Sequence, residues 1–186
     1  MLISSLANHF LIAMPNLDDS FFERSVIYMC EHTEKGAMGL ILNLPLEMDL
    51  HHLLSQMKLE NASYSMAGHP VMTGGPVNTD RGFVLHTPME GFHASVSLTD
   101  DLMMTTSLDV LNTLGTSAEP KQYLIALGYA GWDAGQLENE IKENSWLTVP
   151  ANAEFVFDVP LEYKWEEATK LLGFDIWQIM PQAGHA

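Results

Sequence analysis

Gly74-Gly75-Pro76-Val77, with Arg81-Gly82-Phe83-Val84-Leu85-His86 close behind, and Gly128-Tyr129-Ala130-Gly131-Trp132-Asp133-Ala134-Gly135-Gln136-Leu137 are the stretches on which the fold turns. Each joins tight-turn glycines to a few large or polar residues at strand ends. Glycine tolerates the backbone conformations that tight turns need. Polar and aromatic groups beside such turns make a surface that something can touch.

Working outward, residues 123–129 form the most uniformly apolar run and predict a central strand. Residues 9–14, stopped by Pro15, and 37–42, entered from Gly36, are apolar at nearly every position. Such runs predict strands covered on both faces. Residues 16–20 read as a turn and 25–31 as another strand. Asp49 ahead of Leu50, Leu53, Leu54 and Met57 predicts a capped amphipathic helix. Strands are expected at 71–77, 82–86, 92–97, 146–149 and 154–157. Ser107 is expected to cap a short helix that carries Leu108, Leu111 and Leu114 and stops at Gly115. Asp133 is expected to cap a helix reaching about Asn144, with Gln136 three residues on as a capping-box variant and Glu138–Lys142 as a favourable pair. A last helix places Leu161, Trp165, Ala168 and Leu172 on one face and ends at Gly173. Many short strands and four short helices without regular alternation predict an α+β fold with a mixed sheet, in one domain over residues 1–186.

Composition narrows function. The net charge is −16, from 24 acidic and 8 basic residues, and Arg24 and Arg81 are the two arginines. Nucleic-acid affinity rests on Lys and Arg neutralising phosphates, so a chain this acidic is repelled at long range. Anionic membrane surfaces are disfavoured for the same reason. The apolar run at 124–132 is too short to span a bilayer. Cys30 is the single cysteine, which excludes an intrachain disulfide and suits a reducing compartment. Met1-Leu2-Ile3-Ser4-Ser5-Leu6 lacks a basic lead, and Asn8 and His9 interrupt it, so no signal peptide is expected. Together these predict a cytoplasmic protein. The twelve methionines read as flexible core filler.

Candidate chemistry is sparse. Cys30 lies beside Glu31 and His32, but neighbours on a strand face opposite ways, so a buried structural thiol is the better reading. His51-His52 has the wrong spacing for a helical metal pair; His86 and His93 could meet across a hairpin, but without recognised ligand spacing. Arg81 could clamp a carboxylate; the simpler alternative is a salt bridge to one of the abundant acids, Asp80 first. Trp132 reads either as a partner anchor or as a lid over the core. Asp18, Asp100 and Asp101 are loop acids without an evident partner, and no nucleophile–base pattern or phosphate loop stands out.

These boxes resemble the YqgE/AlgH family of bacterial proteins over nearly the whole chain. The resemblance is carried by Phe10-Leu11-Ile12-Ala13-Met14-Pro15, Asp18, Phe22, Ser25-Val26, His32, Gly36-Ala37-Met38-Gly39-Leu40 and Asn43-Leu44-Pro45. It continues through both glycine stretches, then Glu138, Glu140, Asn144, Trp146, Phe157-Asp158, Trp165, Ala168 and Gly173. Asn8 stands where glycine is common, and Leu44 where a basic residue often sits. The resemblance implies an α+β domain whose mixed, strongly bent β-sheet forms a pseudo-barrel with short flanking helices. It also implies a soluble bacterial protein of uncharacterised activity; some members are described as transcriptional regulators on genetic association. It supplies no catalytic residues.

The expectation is therefore a non-catalytic regulatory or adaptor protein. Its candidate surface comprises Gly75, Arg81, His86, Gly131, Trp132 and Gly135, and its partner is a protein or a small acid. No cofactor, metal or membrane is expected. The alternatives are a hydrolase-like enzyme using His86 and Arg81, and, disfavoured by charge, a direct nucleic-acid binder.

Overall fold

The computed structural model describes residues 4–19, 21–61 and 67–179. The reading at Met1-Leu2-Ile3 and the last turn residue, Ser20, lie outside them.

Strand β9(Tyr123–Asp133) is the spine of the fold. Its first half pairs antiparallel with β6(Val77–His86), from Leu127↔Gly82 to Tyr123↔His86. On the other edge it runs parallel to β5(Pro70–Thr73). Its second half leaves both neighbours and pairs instead with β3(Gly36–Ile41), from Ala130↔Gly39 to Asp133↔Gly36. The exchange happens at Gly128, whose φ of 77° suits glycine and is costly elsewhere. Gly74 and Gly75 cross there. A Cβ on Gly75 would overlap the main chain of Tyr129 and Ala130, and one on Gly74 would overlap the Gly128 carbonyl. Gly74 stitches the crossing: its N–H donates to Leu127 and its carbonyl accepts from Ile41, at 2.8 Å each.

Around this spine come β1(His9–Ala13), β2(Val26–Thr33), β4(Pro45–Asp49), β7(Ser95–Thr99), β8(Leu102–Thr105) and β10(Trp146–Pro150). The order is β10-β1-β2-β3-β9-β6-β8-β7, with β4 added on β5. All pairings but β5–β9 are antiparallel, and the sheet curls into a half-barrel. The fold is thus mixed α+β with a bent sheet and few short helices.

Strand β1 and the first half of β2, through Met29, are buried on both faces because alternate residues feed two cores. Phe10, Ile12, Val26 and Tyr28 enter one; Leu11, Ala13, Ile27 and Met29 enter the other. Each large apolar side chain so buried contributes roughly 1.5–3 kcal/mol. A third core lies beneath α1(Leu50–Gln56), where Leu50, Leu53 and Leu54 meet Val71, Val84 and Ile125. Asp49 caps α1 by accepting from the His52 N–H. Asn8 has φ 59°, which explains why a glycine suits that position; its side chain also accepts from the Tyr28 hydroxyl.

Several boundaries differ from expectation. Residues 154–157 are not a strand but part of α3(Ala153–Asp158), because Asn152 caps the Phe155 N–H and the Lys164 ammonium donates to the carbonyls of Phe155, Val156 and Val159. The expected strand at 71–77 breaks at the glycine crossing into β5 and the start of β6. The Ser107 helix reduces to a 3₁₀ turn at Leu111–Thr113; the Ser107 hydroxyl instead accepts from Ala94 N–H and donates to Asp109. Strand β9 runs on through Asp133, so the following helix, α2(Gln136–Lys142), starts from Gly135, and the Gln136 side chain reaches back to the Asp133 N–H. The last helix, α4(Lys164–Leu171), is tied to β1 by the Trp165 indole N–H on the Ala13 carbonyl.

The crossing sets a sharp contrast between two glycines. Gly75→Ala must move backbone and is expected to lose more than about 3 kcal/mol of unfolding free energy. In Gly82→Ala the new methyl would lie 3.8 Å from Leu127, an ordinary contact, so the change should stay within about 1 kcal/mol. Chemical denaturation reads both, and equal losses would contradict the crossing.

Candidate functional site

Where β9 leaves β6, the sheet opens into a cleft of about 680 Å³. Strand β6 lines it with Val77, Arg81 and Phe83; β9 with Tyr129, Gly131 and Trp132; the β2–β3 hairpin with Lys35 and Met38. The cleft gathers two cations, Lys35 and Arg81, against two acids, Glu31 and Asp133. It is therefore locally balanced in a molecule of net charge −16.

Arg81 is exposed, and its guanidinium carbon stands 5.3 Å from the Phe83 ring centroid. Among the described residues it forms no ion pair. The alternative of a salt bridge to one of the abundant acids is therefore not met; Asp80, its neighbour, is out of reach because successive residues of a strand face opposite ways. Asp80, Gly82 and Val84 line a second, mostly apolar cavity of about 310 Å³ under α1, while Arg81 and Phe83 line the cleft. An aromatic face beneath a guanidinium holds its fork without competing for its donors.

Trp132 is 7% exposed and packs as a wall rather than projecting as an anchor. Its indole N–H donates to Glu140 Oε1 at 2.9 Å, and the Trp146 indole donates to the same oxygen at 2.9 Å. Gln136 holds the other carboxylate oxygen. Glu140 thus positions two tryptophans whose rings meet edge-on. Sequence reasoning placed Glu140 only within a family box; its eight-residue spacing from Trp132 across a strand–helix junction gives no local pattern.

His86 does not join the cleft. It is fully buried, with its ring against Phe92. Nδ1–H donates to the Thr87 carbonyl, and Nε2 accepts from the Thr105 hydroxyl, each at 2.7 Å. Burial lowers its pKa, so the ring is neutral near pH 7. Thr105 in turn accepts from Ser95. The enzyme assignment pairing His86 with Arg81 therefore lacks a shared site. His93 is exposed and pairs with Asp109 instead of approaching His86. Among the described residues no group of three His, Cys, Asp or Glu side chains could hold a metal ion.

Gly75 lies in the chain crossing beneath the cleft, and Gly135 sets up the turn into α2 with φ 79°. The structure therefore brings Arg81, Gly131 and Trp132 together, with Gly75 and Gly135 shaping their support. Lys35, Phe83 and Tyr129 join the site without having been singled out from sequence. Cys30 packs near Met104, and burial with the Glu31 charge pushes its thiol pKa up to about 12, so it is an inert thiol at neutral pH.

Removing Glu140 leaves two buried indole N–H groups without acceptors. Glu140→Ala is expected to cost about 2–4 kcal/mol and to red-shift the tryptophan emission. Unchanged stability and emission would show that the carboxylate does not hold this wall.

The family model described as AlgH-like matches residues 10–177. A UPF0301 protein of Shewanella woodyi is 55% identical over 186 residues, covering 99% of this chain and 100% of the relative. One from Vibrio parahaemolyticus is 49% identical, covering 98% and 100%. The solution structure of the AlgH protein from Pseudomonas aeruginosa superposes with a TM-score of 0.80 at 43% identity, covering both chains completely (100% and 100%). A crystal structure from Corynebacterium diphtheriae shares the fold, with a TM-score of 0.70 at 19% identity over 98% of this chain and 91% of that one. On the family match and these identities the chain belongs to the AlgH-like family.

Proposed function

We propose that this protein is a non-catalytic binding protein, regulatory or adaptor in role, whose cleft takes an acidic group from a partner protein or a small acid. The observation that carries this reading is Arg81: an exposed guanidinium on an aromatic face, in a cleft, with no ion-pair partner among the described residues of a chain holding 24 carboxylates. A carboxylate fits the guanidinium fork in two parallel hydrogen bonds. Lys35 adds a second cation to the same cleft. The overall negative charge does not forbid this, because salt screens beyond about 8 Å and the local pair decides.

Direct nucleic-acid binding is the weaker reading. Arg24 stacks on Trp165 and Trp177, Lys164 is buried on three carbonyls, and Lys170 pairs with Glu167. Lys164 is thereby withdrawn from phosphates, while Arg24 and Lys170 remain exposed but each is partly engaged within the fold. The described residues include no helix long and apolar enough to cross a membrane.

Affinity capture from lysate of the source organism, using wild type, an Arg81→Ala/Lys35→Ala double variant and a Lys142→Ala control, tests the reading. The double variant should lose at least tenfold of the recovered protein or acid, and the control should match wild type. Equal recovery by all three would remove the cleft from the function.

A further inference from the structure

The cleft contains an unused length of sheet edge. In an antiparallel ladder, residues whose N–H and C=O point at the neighbour alternate with residues whose groups point away. Strand β3 fixes that alternation. The Ile41 N–H donates to Gly74, away from β2, and the Leu42 N–H donates back to Val26. Odd-numbered residues of β3 therefore face β9, so Gly39↔Ala130 and Ala37↔Trp132 are the hydrogen-bonded pairs. On β9, Ala130 and Trp132 are satisfied by β3, whereas Gly131 and Asp133 turn their main-chain groups to the opposite side. The Asp133 N–H agrees with this, since it is taken by the Gln136 side chain.

Strand β6 occupies that opposite side only as far as Val77↔Tyr129. The N–H and C=O of Gly131 consequently lie on an open strand edge inside the cleft. Gly131 is exposed, and a Cβ there would come no nearer than 3.4 Å to its neighbours. The glycine is thus not required by crowding or by a left-handed φ. A glycine inside a strand often marks a place where another backbone comes close.

We propose that an extended segment of a partner protein adds to the free edge of β9 as a short strand, exchanging main-chain hydrogen bonds with Gly131 while an acidic side chain of the segment is held by Arg81. Strand addition of this kind takes affinity from main-chain bonds and selectivity from side-chain pockets. Arg81 and Lys35 supply the charge complement for a carboxylate, and Glu31 and Asp133 favour basic residues beside it, so the segment carries mixed charge. Val77, Tyr129 and Met38 offer apolar surface to the side chains between. An internal carboxylate fits a segment that runs on past Gly131 as a strand.

This inference rests on the acid-binding reading of the cleft, and its test separates the two. The probe is a library of heptapeptides, acetylated and amidated so that no terminal charge remains, with a central Glu, and the matched library with a central Gln. The Glu library should yield binders that weaken at least tenfold on Arg81→Ala. The best of them should slow hydrogen exchange of the Gly131 amide at least tenfold. N-methylation along that peptide should abolish binding at every second position. Binding that depends on Arg81 but leaves Gly131 exchange unchanged, or shows no two-residue period, would overturn strand addition and leave the acid site standing. No binder in either library, together with small carboxylates that still depend on Arg81, would also overturn it. Peptide binding indifferent to Arg81 would overturn both readings.

Discussion

The fold depends on one close approach, Gly74-Gly75 against Gly128. Three elements share a space there that has no room for a Cβ, and β9 changes partners as it passes through. Before the crossing it is an interior strand between β5 and β6; after it, an edge of β3. The left-handed φ at Gly128 also shifts the side-chain alternation. Leu124 and Ala126 feed the same core as Tyr129, while Ala130 and Trp132 feed the neighbouring one. With Ile125 in the core under α1, a single strand therefore serves all three cores, and the curl of the half-barrel follows from the turn it makes.

The cleft is a consequence of the same event. When β9 leaves β6, the gap exposes Arg81 on one wall and the free side of Gly131 on the other. Its walls are rigid for separate reasons. Trp132 is pinned through Glu140 to α2, and Phe83 is packed in the core beneath the Arg81 guanidinium. In a molecule with a large negative charge Arg81 is thus held in place with no ion-pair partner to displace among the described residues, which is what the proposed acid-binding role requires. Preorganisation matters because ordering a long arginine on binding would cost affinity.

Much of this was legible in the residues. The doubly apolar run at 9–14 marked a strand covered on both faces, and Asp49 marked the start of α1; the run at 37–42 marked a strand too, but its first half is only half-buried and borders the cleft. The glycine stretches read only as tight turns beside a surface; residues 71–77 read as one strand, so the crossing at Gly74-Gly75 and Gly128 was not legible. Local patterns misled where tertiary partners decide. Residues 154–157 carry an apolar run that suits a strand, yet the Asn152 cap and the distant Lys164 ammonium make it a helix. His86 looked like a strand-end base beside Arg81; the pleat and the Thr105 hydroxyl put it in the interior. Lys35 lies far from Arg81 in sequence, so only the pairing of β3 with β9 brings it to the cleft.

Amide hydrogen exchange along β9 in the unliganded protein tests the central claim most directly. Ala130 and Trp132, bonded to β3, should be protected, and Gly131 between them should exchange at least a hundredfold faster, an alternation expected where one edge of a strand is paired and the other open. Uniform protection of all three amides would mean that β9 keeps a second partner opposite β3 beyond Tyr129, with neither a free edge nor an open cleft.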